Sequence, residues 1–256
     1  MKTTPVRLIA LLVLSIACLE AATAQNGWRI VDQGGEITFI SKGRLKQAWG
    51  EDALIMDGVK NRILFLSTEK KAFASGTPEQ YCALMKEMQD ELIAKLPPDQ
   101  REAVTARKGQ KEGGTRPTVV VKYQGAGQKV SGLTTDKYAV MVDGKLYEEV
   151  WLATDADFLK HFKPLVGIFR SFSECVGSMA MRDEVESTKE YLDLYEKGIE
   201  VKARRAGAGG EEDSEQEAQV ERVTVSDAEF VVPPGYSSME LREFVRSQMG
   251  GAEQEP

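Results

Sequence analysis

The sequence is short of the residues that most often carry out chemistry. It has one histidine, His161, so a metal site built on two or three histidines is excluded. His161 stands beside Lys160 and Lys163, which places it on the solvated side of its helix, and no serine sits in a G-x-S-x-G elbow that could use it as a base. Gly125-Ala126-Gly127 lacks the third glycine and the strand-to-helix setting of a dinucleotide site, and reads as a turn. The three cysteines, Cys18, Cys82 and Cys175, are too scattered for a redox C-x-x-C pair. Asp155 and Asp157 read as a helix start rather than a cation site, because acids there cap the chain and face the positive end of the helix. There is no basic block either. With 33 Lys and Arg against 40 Asp and Glu, a net charge of −7 argues against nucleic acid or anionic headgroups as partners. No catalytic set, cofactor motif or metal-ligand set is legible, and the chain reads as non-enzymatic.

What is present begins with an export signal. Lys2 and Arg7 precede an apolar run from Leu8 to Leu19, and Ala22-Thr23-Ala24 supplies the small residues that a signal peptidase reads. The run is too short to span a bilayer, which takes about 20 apolar residues. Cleavage is expected between Ala24 and Gln25, leaving 232 of the 256 residues as a periplasmic or secreted protein. Leu14-Ser15-Ile16-Ala17-Cys18 also looks like a bacterial lipoprotein cleavage site, and lipidation of Cys18 is the alternative that would anchor the protein to the envelope. In an oxidising compartment Cys82 and Cys175 are either bonded to each other or buried as free thiols.

Residues 25–247 read as one α+β domain. Glu36 to Ile40 alternates polar and apolar with period two, the mark of a half-buried strand. Lys42-Gly43 and Asp57-Gly58 are turn signals, and links this short make an antiparallel meander through Phe73. Thr77, Pro78 and Gln80 then open a helix with a capping box, and Tyr81, Leu84, Met85, Met88, Leu92 and Leu96 form its apolar face. A second meander covers Thr118 to Leu152, with Asp143-Gly144 as a tight turn. A second amphipathic helix starts at Asp155, kinked by Pro164, and a short helix follows over 184–195. Strands are expected again at 199–202, 220–225 and 230–232, and a short last helix over 239–245. Residues 98–117 and 206–218 read as mobile loops from their charge and glycine content, and 248–256 as a disordered tail. A sheet this large curls, and two long helices can cover its concave face.

At Val119–Asp155 the pattern resembles a known family. Gly132, Lys137-Tyr138 and Trp151-Leu152-Ala153-Thr154-Asp155 before a helix are similar to the bacterial domain-of-unknown-function family 4412, as is the closing Phe230-Val231-Val232-Pro233-Pro234-Gly235-Tyr236. Asp57 before a hairpin and Lys70-Lys71-Ala72-Phe73 before a helix fit it as well. The resemblance implies an exported or lipid-anchored envelope protein. It also implies a curled half-barrel like that of the periplasmic lipoprotein carriers (LolA-like), with helices over an apolar concavity. Thr134-Thr135 replace a cysteine that many relatives carry before the Lys-Tyr pair, so no disulfide pattern is carried over.

The remaining candidates are apolar. Trp28, Trp49 and Trp151 fall on strands, and Phe158, Phe162, Phe169 and Phe172 on one helix. They either close an ordinary core, giving a structural or interaction protein of the envelope, or line a partly open cavity. Such a cavity would suit a lipid, an acyl chain or a segment of an envelope protein.

Overall fold

The computed structural model describes residues 24–102, 104, 117–178, 185–207 and 214–249. The expected signal through residue 23, with Cys18, lies outside the described residues, as do 105–116, 208–213 and 250–256 of the expected loops and tail.

The first meander runs β1 (Ala24–Val31), β2 (Ile37–Ser41), β3 (Arg44–Trp49), β4 (Asp52–Asp57), β5 (Arg62–Ser67) and β6 (Ala72–Gly76), followed by α1 (Pro78–Lys95). The second is β7 (Val119–Ala126), β8 (Thr135–Val142) and β9 (Lys145–Ala153). After it come α2 (Ala156–Phe162), a 3-10 turn at Lys163–Leu165 and α3 (Val166–Ser178). A helical segment over 185–196 contains α4 (Lys189–Leu192). The chain closes with β10 (Ile199–Arg205), β11 (Ser214–Glu217), β12 (Gln219–Ser226), β13 (Ser237–Ser238) and α5 (Leu241–Met249).

Local chemistry sets many of these boundaries. Thr77 Oγ1 accepts from the Gln80 N–H while the Gln80 side chain accepts from the Thr77 N–H, which is the capping box in full. Asp155 Oδ1 accepts from the N–H groups of Asp157 and Phe158 and starts α2. Pro164 breaks the second long helix into α2 and α3, as its missing N–H requires. Lys42-Gly43 and Asp143-Gly144 all have positive φ, the two-residue link whose twist matches flanking strands.

The strands form two sheets instead of the single sheet expected. An eight-stranded sheet has the order β12-β1-β2-β3-β4-β5-β6-β13, and a five-stranded one has the order β11-β10-β9-β8-β7. All pairs are antiparallel except β13 with β6. The sheets divide at Ala218, whose N–H donates to the Val201 carbonyl between β11 and β12. On one side of Ala218 the extended stretch 214–226 pairs with β10, and on the other with β1.

Four sequence expectations give way in the structure. Residues 214–217, expected in a loop, form β11, because Lys202 Nζ holds Glu215 at 2.7 Å and Glu217 at 3.0 Å. Residues 98–102 are helical, not loop. Phe230 ends a 3-10 turn instead of starting a strand: Ser226 Oγ accepts from the Ala228 N–H, and the buried Phe230 ring lies beneath the Arg44 guanidinium. The last helix also runs past the expected order boundary, to Met249.

Each sheet carries apolar packing on both faces, although β11 and much of β7 are exposed. The inner core joins Trp28, Ile40, Leu54 and Ile63 of the large sheet to Trp151 and Val201 of the small one through Phe158, Phe162, Leu165 and Ile168. On the other face of the large sheet, Ile55, Leu64 and Val225 pack with Phe230. The other face of the small sheet, with Val140, Val150 and Leu152, packs under Val185, Tyr191 and Leu194. Cys82 of α1 and Cys175 of α3 are bonded across a Cα–Cα distance of 5.6 Å, which ties α1 to the helix of the inner core.

Candidate functional site

The aromatic residues singled out from sequence divide between two environments. Trp28, Trp151, Phe158 and Phe162 share the inner core, and Phe169 packs against it. The rings form a continuous series: Trp28 lies edge-on to Phe158 at 5.5 Å, Phe158 stacks with Phe162 at 6.2 Å, and Phe169 follows at 5.6 Å. Phe158, Phe162 and Leu165 are wholly buried, so α2 and the following turn fill this part of the inner face with their own side chains. Trp49 is elsewhere. It ends β3 opposite Asp52, beside the turn at Gly50-Glu51, and is 39 % exposed.

The expectation for His161 is overturned. It is 8 % exposed and its Nδ1 accepts from the Lys42 N–H at 2.8 Å, while its carbonyl accepts from the Gly43 N–H at 2.9 Å. Burial holds the imidazole below its ordinary pKa, consistent with a neutral ring used as an acceptor. The same junction explains Gly58: a Cβ there would lie 2.1 Å from the Pro164 carbonyl oxygen, so only glycine lets the β4–β5 turn meet the helix. His161 is thus a pin between α2 and the β2–β3 turn.

A cavity of about 350 Å3 lies on the outer face of the small sheet. β9 and β10 supply its floor through Glu148, Leu152, Ile199 and Ala203. The segment 185–196 contributes Glu186, Tyr191, Leu194 and Tyr195, and β11 contributes Ser214 and Gln216 at the exposed rim. Tyr191 is positioned by Thr188, whose hydroxyl caps α4 by accepting from the Tyr191 N–H.

Glu148 is the chemical centre of this wall. It is 4 % exposed, and its Oε2 accepts from the Tyr191 hydroxyl at 2.9 Å. Arg205 Nη2 reaches Glu148 Oε1 at 3.3 Å and Glu186 Oε1 at 2.6 Å. Burial pushes the Glu148 carboxyl above its usual range despite these donors, and burial beside Glu200 and Glu148 raises the Tyr191 phenol strongly. The arrangement can hold and orient a ligand. The one histidine is not part of it, since His161 is bonded to Lys42 on the other side of the molecule's core. Among the described residues no three His, Cys, Asp or Glu converge to hold a metal ion.

The sequence did carry one trace of this site. Glu148 falls in step with Val150 and Leu152, so period two puts an acid on an otherwise apolar strand face. Its partners Tyr191 and Arg205 carried no such mark. Compared with protein-family models the chain matches none, and among curated proteins no significant match is found. No described helix is long and apolar enough to cross a membrane.

Proposed function

We propose that this chain is an exported, non-catalytic envelope protein that binds an amphiphilic ligand in the cavity beneath 185–196. The observation that carries the reading is the cavity itself. At about 350 Å3 it falls at the small end of ligand-binding pockets, and its wall is mixed, with Leu152, Leu194 and Ala203 beside the fixed polar groups of Glu148, Tyr191 and Arg205. Export rests on the basic, apolar and small-residue order of the first 24 residues, with cleavage at Ala24 and lipid anchoring at Cys18 as the two routes.

The same proposal extends to the architecture, a curled half-barrel similar to the lipoprotein carriers and to family 4412. It is supported by the stretch 214–226, which pairs with both sheets, and by α2 and α3, whose side chains occupy the face that the sheets share. In such carriers the ligand would be sought on that inner face. Here Phe158, Phe162 and Leu165 fill it, which favours the outer cavity.

Full burial of those three residues also favours a second reading, an interaction protein of the envelope with a packed interior. Native mass spectrometry of protein purified from its own envelope separates the two. The first reading expects a small molecule to travel with the chain and to be lost in Ala203→Phe, which fills the cavity floor. A bare chain, or one associated only with another protein, overturns it in favour of the second.

A further inference from the structure

The segment 185–196 roofs the cavity and is fixed on two sides. Toward the sheet, Tyr191 donates to Glu148 at 2.9 Å and Arg205 reaches Glu186 at 2.6 Å. On the other side the roof hangs from α3. Arg170 donates to Asp193 at 2.7 Å and to Glu196 at 2.5 Å, and Phe169 stacks on Tyr195 at 5.7 Å. α3 is bound in turn to α1. Cys175, which makes that link, stands five residues after Arg170, roughly 140° around the helix axis. α3 is therefore braced between α1 and the roof.

α1 buries three of its 18 residues, Pro78, Leu84 and Met88, and the last two pack with Val245 of α5. Toward α3 it offers the Tyr81 ring, 5.2 Å from Phe172, and the disulfide. The bond thus carries much of the brace. We propose that the Cys82–Cys175 disulfide is a redox control on the cavity. Oxidised, it holds α3 and the roof in place; reduced, it lets α3 shift and the roof open on its Arg170 side. As a control on ligand binding this rests on the reading of the cavity as the ligand site. The reductant is a dithiol, and the sulfur it reaches is the half-buried Cys82, since Cys175 is only 9 % exposed. Its thiolate attacks Cys82 Sγ, which breaks the S–S bond, forms a mixed disulfide and releases Cys175 as a thiolate. Its second thiol then attacks the mixed disulfide and frees Cys82. The dithiol leaves as a disulfide, and its two electrons and two protons stay on the two cysteines.

Hydrogen exchange of 185–196, measured with the protein oxidised and after reduction by dithiothreitol, tests the control. Reduction is expected to speed exchange there about tenfold, because two charge-assisted bonds and a ring contact are loosened. Arg170→Gln removes those bonds at a side chain 28 % exposed, so its roof should already exchange fast when oxidised. Reduction should then add less than about twofold, whereas Arg170→Lys, which keeps one bond, should fall between. An unchanged rate on reduction overturns the control. So does an equal acceleration in the wild type and Arg170→Gln, which would mean that the disulfide only stabilises the chain as a whole. These rates need no ligand and so judge the control apart from the site. In native mass spectrometry the molecule that travels with the oxidised chain should be depleted after reduction. If it stays equally on both forms the control falls and the site stands, and a bare oxidised chain removes the site and with it any control of binding.

Discussion

β9 and β10 bury both of their faces, and the two sides have opposite characters. Inward, Trp151, Ala153 and Val201 meet a run of rings that leaves no exposed surface on Phe158 or Phe162. Outward, Val150, Leu152 and Ala203 share their face with Glu148, and a cavity of about 350 Å3 stands against them. The difference follows from the forces on each side. Apolar contacts have no direction, so side chains settle wherever they fill space, whereas a buried carboxylate must be met by donors at fixed distances and angles. Tyr191 and Arg205 meet those demands at Glu148 and are thereby held where they are. A buried polar group of this kind defines a shaped space, and a dry core erases it. The two regions touch at Tyr195, which stacks on Phe169 at 5.7 Å and also lines the cavity.

The largest expected effect breaks the inner side. Phe162→Ala removes a wholly buried ring from the centre of the series and should destabilise the protein by about 3–5 kcal/mol in urea or thermal unfolding. A loss below about 1 kcal/mol would mean that the inner face can collapse or is already open, and would restore it as a place for a ligand. The outer side should respond less. Tyr191→Phe deletes the hydroxyl that donates to Glu148 but leaves Arg205 in place, so the expected loss is about 1–2 kcal/mol by the same measurement. Equal losses at the two positions would erase the contrast between a packed face and a preorganised one.

How much of this could be read from the sequence depended on how far apart the partners are. The capping box of Thr77 and Gln80, the cap at Asp155 and the turn at Asp143-Gly144 use residues within a few positions of one another, and each is found where its local signal put it. The period-two pattern likewise located most strands, since alternation is a property of the segment alone. The site was not legible in that way. Glu148 and Tyr191 are 43 residues apart, and His161 and Lys42 are 119 apart. Lysines beside His161 suggested solvent, yet a helix turns about 100° per residue, so neighbours in sequence need not share a face. The acids of Ser214–Glu217 suggested a loop until Lys202 on the adjacent strand supplied their counter-charge. The division into two sheets at Ala218 has no local signature at all, because it records only a change of neighbour from β10 to β1.

Acid sharpens the comparison by acting on the two sides with opposite sign. Burial lowers the pKa of His161 in the folded protein, so its stabilising contribution is complete above the ordinary value of 6.5 and is lost as pH falls through the folded value. Protonation puts a hydrogen on Nδ1 where the Lys42 N–H already points, and Asp157 is the one group favouring the charged ring against Lys160, Arg222 and Lys42. Burial raises the pKa of Glu148, so its contribution is complete below the ordinary value of 4.5 and is lost as pH rises through the folded value. Hydrogen exchange followed from neutral pH downward should therefore show α2 and the β2–β3 turn losing protection while β9 and 185–196 hold or gain it. His161→Gln keeps an acceptor for Lys42 without titrating, and the acid-induced loss around α2 should disappear in that variant while the response near Glu148 persists. If the loss remains in His161→Gln, another group drives it and the pin is only a contact. The effect is the smallest of those expected here because one neutral acceptor bond is at stake, but it separates the two faces by chemistry alone, with every packed side chain left in place.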